Sequence, residues 1–253
     1  NARLRMLTGQ AVHTRAADFD GGWALQSDDK EQDDPGAGAG FVVRETPIAH
    51  DQDFTIEFWC RLTDLSKDRS FWQPPFSMGV LNGRAVVRHT PADRPEDIVE
   101  ITGPEITDRW VHQALVVEGN EMRLYVDGVL SGSAAIPARE ATASDMPHFG
   151  MKAVGELDEV RISRVARYEK SSFTPESRFV PDEATLGLFH LDEGQGTDLI
   201  DASGHTVGSF ATGSEGIAKL NWVKADGPTA ADSKSRSTST VPADDAGQAE
   251  SDP

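Results

Sequence analysis

Two apolar runs separated by a short polar turn lie between Trp110 and Leu130, where the chain reads WVHQALVVEGNEMRLYVDGVL. Trp110, His112, Ala114 and Val116 alternate with Val111, Gln113, Leu115 and Val117, a period of two that assigns each set to one face of a strand. Met122, Leu124 and Val126 do the same against Arg123, Tyr125 and Asp127. Between the two runs, Glu118-Gly119-Asn120 supplies residues that tolerate positive φ, and Asp127-Gly128 closes the second strand. An isolated hairpin is marginal in water, so this one predicts a larger antiparallel sheet drawn from the flanking sequence.

The flanks supply it. Phe54, Ile56, Phe58, Cys60 and Leu62 alternate with Thr55, Glu57, Trp59 and Arg61, which is the strongest strand pattern in the chain. Shorter strands are predicted at Phe41 to Val43, Val80-Leu81, Ala85 to Val87, Ile98 to Ile101, Ser131 to Ala135, His148 to Met151 and Gly155 to Ile162, with Asn82-Gly83 as a two-residue hairpin turn. In Ala17 to Leu25 an apolar strand is broken by Asp20-Gly21-Gly22. Ser27 to Gly40 holds five acidic residues and a Gly-Ala repeat, which predicts an exposed, mobile loop, and Asp64 to Pro75 reads as a loop carrying Trp72. Val165 to Lys170 alone leaves room for a short helix. The fold class is all-β.

Composition narrows the partners. At 253 residues the chain is long enough for one large sandwich, and 24 basic against 42 acidic side chains give a net charge of −18, which disfavours nucleic acid and anionic lipid. Cys60 is the single cysteine, so neither an intrachain disulfide nor a cysteine zinc cluster is available, and a small core residue is its expected role. The chain has no apolar run of about 18 residues, so membrane insertion is not expected. Because it opens on Asn1 without signal-peptide features, it is read as a piece of a longer parent chain with other domains.

Five pieces in order, Asp18-Phe19-Asp20-Gly21, Phe54 to Trp59, Trp110 with His112, Leu124 to Gly128, and Gly155 to Ile162, resemble the laminin-G-like or concanavalin A-like modules, over about residues 17–175. The resemblance implies a two-sheet antiparallel jelly-roll sandwich used mostly for binding. Leu191-Asp192-Glu193-Gly194 and Asp201-Ala202-Ser203-Gly204 depart from it, since that pattern usually precedes a module's core. Either a truncated second module begins there, or residues 186–223 supply strands that complete this domain. The second reading is preferred because the termini of compact domains lie close together. The expected organisation is a leading segment or linker over 1–16, one domain over 17–224 and a disordered tail over 225–253, where periodicity ends.

Glu156-Leu157-Asp158-Glu159-Val160 is similar to the paired-carboxylate line of laminarinase-type hydrolases, but the positions an acid/base would need on the same face hold Val160 and Arg161. Glu156 and Asp158 are then strand-end charges or metal ligands, and His112 is a framework residue. No Gly-x-Ser-x-Gly elbow occurs. The resemblance implies structural calcium held by Asp158 and by the turn at Asp20 and Gly21, the competing role of Asp158 being to anchor backbone N–H groups. Trp23, Trp59 and Trp72 are candidate ligand-stacking residues, with packing as the alternative for each. The expectation is a non-catalytic module that binds a glycan or a protein through rim loops or a sheet face, in an exported or surface protein. The alternatives are a structural spacer and a degenerate hydrolase that keeps sugar affinity.

Overall fold

The computed structural model describes residues 22–27, 39–44, 51–63, 69–70, 75–91, 93–106, 108–138, 148–151, 155–169, 171–210, 220–229 and 232. Among these residues there is no α-helix, and none that could cross a membrane. The strands are β1 Trp23–Ser27, β2 Ala39–Arg44, β3 Phe54–Leu62, β4 Arg69–Ser70, β5 Phe76–Leu81, β6 Arg84–His89, β7 Val99–Glu105, β8 Val111–Glu118, β9 Glu121–Val126, β10 Val129–Ala135, β11 His148–Met151, β12 Gly155–Ser163, β13 Thr185–Phe189, β14 Asp198–Leu199, β15 Val207–Phe210 and β16 Leu220–Lys224. They form where the alternation places them. β4 is an exception, pairing with Val80 and Gly79 inside a stretch read as loop.

One layer is an eight-stranded antiparallel sheet in the order β10-β9-β8-β3-β12-β1-β16. The start of β12 pairs with β1 and its end with β13. Two four-stranded sheets, β11-β2-β15-β14 and β4-β5-β6-β7, provide the opposing layer. Inward residues of all three sheets make one apolar core, including Leu25, Phe41, Phe58, Met78, Leu124 and Leu199. Aromatic pairs cross it: Phe54 meets Phe76 edge-on at 5.1 Å, and Phe41 meets Phe189 at 5.9 Å. Cys60 lies within this core, where burial pushes its thiol up to about 12.

β1 and β16 pair along their length, from Trp23 opposite Lys224 to Ser27 opposite Leu220, and the Ala225 N–H donates to the Gly22 carbonyl. The strand β16, beyond the family-like core over about residues 17–175, thus joins its large sheet. The linker expected over 1–16, most of the loop expected over Ser27 to Gly40 and most of the tail beyond 225 lie outside the described residues.

The hairpin turns have the backbone their sequences demand. Asn82 and Gly83 have φ of 49° and 73°, and Asp127 and Gly128 have 50° and 73°. Gly128 has a second reason to be glycine, since a Cβ there would stand 2.1 Å from the Phe173 carbonyl oxygen. Gly128→Ala is therefore expected to cost about 3 kcal/mol through strain and overlap, read as a lower urea midpoint with unchanged slope. An unchanged midpoint would show that the Phe173 segment moves aside freely.

The short helix expected over Val165 to Lys170 does not form in the described part. Thr55 on β3 donates its hydroxyl to the Val165 carbonyl and accepts the Arg167 N–H, which holds the chain open. Residues 164–169 and 171–182 instead form an irregular strap across the face of the large sheet turned away from the core. Backbone bonds tie it to the β9–β10 turn and to β10, from the Phe173 N–H to the Gly128 carbonyl and from the Leu130 N–H to the Ser171 carbonyl.

Candidate functional site

The strap turns an outward sheet face into an interior. On β3 the residues alternating with the core set are Thr55, Glu57 and Trp59, and all three are fully buried. Glu57 is the hub of this layer. Its Oε2 accepts from His112 Nε2 at 3.0 Å and from the Tyr168 hydroxyl at 2.7 Å, while its Oε1 accepts from Arg161 Nε at 2.8 Å. Burial alone would raise its pKa; the His112 hydrogen bond, the Arg161 charge and the Tyr168 hydroxyl bring it down to about 2. An ionised carboxylate only accepts, so His112 Nε2 carries the proton. The same partners fix the strap, because Tyr168 belongs to it and its carbonyl also accepts from the Tyr125 hydroxyl.

Trp59 is corrected as a ligand-stacking candidate. It has no exposed surface, packs with Trp110, Phe179 and Leu188, and donates its indole N–H to the Glu176 carbonyl at 3.0 Å. A ring enclosed by the strap offers no face to a sugar. Trp23 is half-buried, with Gly194 against its indole and the Lys224 ammonium 5.8 Å from the ring centre. Its neighbour Ala24 packs with Trp59, so the pleat puts the Trp23 and Trp59 rings on opposite faces of the sheet. Trp72 lies outside the described residues.

Asp158 lies at an acidic corner that a β-bulge creates. The register of β12 against β3 shifts between Asp158 and Arg161, and Glu159 takes φ of 51° there. Asp158 and Glu159 therefore both leave the core side. Asp158 Oδ1 accepts the Glu159 N–H at 2.8 Å, the anchoring role weighed from sequence. Burial, with the Glu159 and Asp192 charges, pushes its carboxyl well above the usual range. Glu159 Oε1 meets Arg178 Nη1 at 3.2 Å and His190 Nδ1 at 2.8 Å, and its Oε2 accepts the Phe179 N–H at 2.8 Å. Asp192 Oδ2 meets the same Arg178 nitrogen at 2.9 Å, and its Oδ1 accepts the Trp23 N–H at 3.4 Å.

At this corner the carboxylates of Glu159 and Asp192 serve the protein's own donors. Calcium needs six to eight oxygens with lone pairs to give, and the oxygens of Glu159 and Asp192 are already engaged. Among the described residues no group of three or more His, Cys, Asp or Glu is placed to hold a metal ion. Asp20 and Gly21, the other expected ligands, lie outside the described residues. Glu156 forms an ion pair with Arg61 at 2.5 Å, and the Arg161 guanidinium is bound to Glu57.

The late acidic motif acquires a role that its sequence alone did not assign. Asp201 Oδ1 accepts the N–H groups of Leu188 and Ser203, and its Oδ2 accepts those of His205 and Thr206. The carboxylate thus closes the turn that carries the chain from β14 to β15 and pins it to β13. Asp-x-Ser-Gly was a visible signal for such a turn, since short polar side chains bind backbone N–H groups a few residues on.

An open cleft of about 370 Å³ lies at one rim of the sandwich, lined by Asp51, Gln52, Asp53, Glu118, Arg164, Val165 and Ala166. It joins the turn before β3, the end of β8 and the start of the strap, and the Gly119 N–H to Asp53 Oδ1 bond of 2.8 Å braces it. Val165, 39% exposed, gives it an apolar wall. No sequence pattern marked it, because its walls come from three separate parts of the chain.

The family model described as concanavalin A-like lectin/glucanases superfamily matches residues 35–171, more than half of the chain. The chain belongs to this superfamily. Its concanavalin A-like match spans β2 to β12, and β1 with β13 to β16 adds to the sheets from outside it. Among solved structures, the chain is similar to a candidate carbohydrate binding protein from Bacteroides ovatus ATCC 8483, at 17% identity and a TM-score of 0.58, covering 82% of this chain and 61% of that one. It is also similar to a SAP-like pentraxin from Limulus polyphemus, at 14% identity and a TM-score of 0.44, covering 58% of this chain and 78% of that one. The first likeness is one of fold alone, and this chain spans about three fifths of the Bacteroides protein's length. No curated protein matches the sequence.

Proposed function

We propose that this concanavalin A-like domain is a non-catalytic recognition module that binds a glycan or a protein at its rim, within a larger exported or surface protein. The observation that carries the reading is the strap. It seals the outer face of the large sheet over Trp59, Glu57 and His112, so a ligand meets the sandwich at its edges. Superfamily membership supports binding as the activity, and the ion-paired state of Glu156 and Arg161 supports the absence of hydrolysis. The rim cleft has the character of a site for a hydroxyl-rich ligand, with carboxylates to accept from sugar hydroxyls and Val165 for a C–H face.

The test is a glycan array probed with the whole chain, followed by titration of any bound oligosaccharide. Binding to a defined subset is expected, with at least about a tenfold loss in Asp51→Ala, equivalent to 1.4 kcal/mol. An array without a hit would overturn the glycan reading and favour a structural spacer. Cleavage of a bound oligosaccharide would overturn the non-catalytic one.

A further inference from the structure

The rim cleft holds two groups of opposite charge that the described fold does not fully satisfy. Of its carboxylates, Asp53 accepts the Gly119 N–H at 2.8 Å through Oδ1, and Glu118 is paired with Arg123. Asp51 has no hydrogen-bond or ion-pair partner among the described residues. Arg164 gives Nη2 to the Glu183 carbonyl at 2.6 Å, and its Nε and Nη1 have no partner among the described residues. The two side chains line one cleft without forming an ion pair with each other. We infer, resting on the reading of the rim as a glycan site, that Asp51 and Arg164 are the acceptor and the donor for neighbouring hydroxyls of an uncharged sugar, and that the cleft discriminates against acidic and amine-bearing ones.

Adjacent hydroxyls suit such a pair because each can donate and accept: one O–H donates to the Asp51 carboxylate while the neighbouring oxygen accepts from Arg164. Arg164 is held ready for that role. Its backbone N–H donates to the Ala184 carbonyl at 2.9 Å, its Nη2 is fixed on Glu183, and the carbonyl of the next residue, Val165, accepts the Thr55 hydroxyl at 2.8 Å. A guanidinium anchored in this way loses less conformational freedom when a ligand arrives. The cleft volume of about 370 Å³ falls toward the lower end of the range for small-molecule sites, which suits a short stretch of glycan. Charge then sets the class of sugar. Asp51, Asp53 and Glu118 outnumber Arg164 on the lining and the chain carries −18 overall, so a uronate or a sulfate approaches against both the local and the net field. An ammonium group has no lone pair for Arg164 and sets a like charge beside it.

The experiment is calorimetric titration of the whole chain with matched sets of oligosaccharides: neutral gluco-, galacto- and manno-oligosaccharides, their uronate and sulfated counterparts, and glucosamine oligomers. At least one neutral series is expected to bind, with an affinity that changes less than about twofold between low and high salt because no net charge is screened. Arg164→Gln should weaken that binding at least about tenfold. Monodeoxy analogues that lack one of the paired hydroxyls should bind wild type about tenfold more weakly but lose much less further affinity in Arg164→Gln. Tighter binding of the uronate, sulfated or glucosamine series would overturn the inference and leave the glycan reading standing, and so would an unchanged neutral-sugar affinity in Arg164→Gln. Failure of every series to bind would overturn the glycan reading and the inference with it. Should Arg164→Gln lose stability along with its Glu183 bond, Asp51→Ala decides, since that side chain holds nothing in the described fold: a loss of about tenfold for the neutral series supports the inference, and an unchanged affinity overturns it.

Discussion

Glu57→Gln is expected to lower the unfolding free energy by about 3–5 kcal/mol, because it leaves the charge of Arg161 in an enclosed layer without its counter-ion. The replacement keeps the shape of the side chain, so the loss is electrostatic and not a cavity effect. The pH dependence gives an independent check. The folded-state pKa of Glu57 is about 2 against an ordinary value of 4.5, so the folded state holds fewer protons than the unfolded state between those values. Its contribution is fully present above about pH 4.5 and disappears as pH falls through about 2. Wild-type stability should therefore decline over that window with a component of about 3 kcal/mol that the Gln variant lacks. Parallel profiles for the two proteins would mean that the carboxylate is not held as the geometry describes. Because Tyr168 binds the same carboxylate, the variant should also speed amide exchange in residues 164–169 and 171–182 before other parts of the chain.

Trp59→Ala is expected to cost a similar amount, about 3–5 kcal/mol, since it empties the centre of the cluster formed with Trp110, Phe179 and Leu188. Trp59→Phe separates packing from hydrogen bonding. It keeps an aromatic ring but abandons the Glu176 carbonyl, and it should cost about 1–3 kcal/mol. Neither variant should alter the affinity of folded protein for a bound oligosaccharide. A Trp59→Phe protein with wild-type stability and lost glycan binding would reverse the assignment and make the ring part of a ligand site.

The two predictions fall on the same strand, and β3 shows how far a sequence can be read. Its alternation was plain, and the inward set from Phe54 to Leu62 is the core set. The outward set of Thr55, Glu57, Trp59 and Arg61 is polar apart from Trp59, for which the sequence offers stacking on a ligand or packing. Glu57 and Arg61 look solvent-directed in isolation, and Trp59 looks like a platform among them. The covering strap arises 111 residues further on, at Tyr168, and has no helical or strand periodicity to announce it. The bulge at Glu159 was equally hidden, because a single left-handed residue inside a strand leaves no mark when that residue is not glycine.

What the sequence determined by itself was local. A period of two, interrupted by Asn-Gly, Asp-Gly and Gly-Asn, specifies strands and tight turns because alternating Cβ directions and positive φ are properties of a few adjacent residues. That was enough for an all-β sandwich and its superfamily. The tertiary structure alone decided which charges meet. Glu57 finds Arg161 104 residues away, and Glu159 finds Arg178 19 residues away. Such pairs depend on strand order and on the strap, and a buried charge without its partner is too costly for the fold to leave open. The same packing closes the face over Trp59.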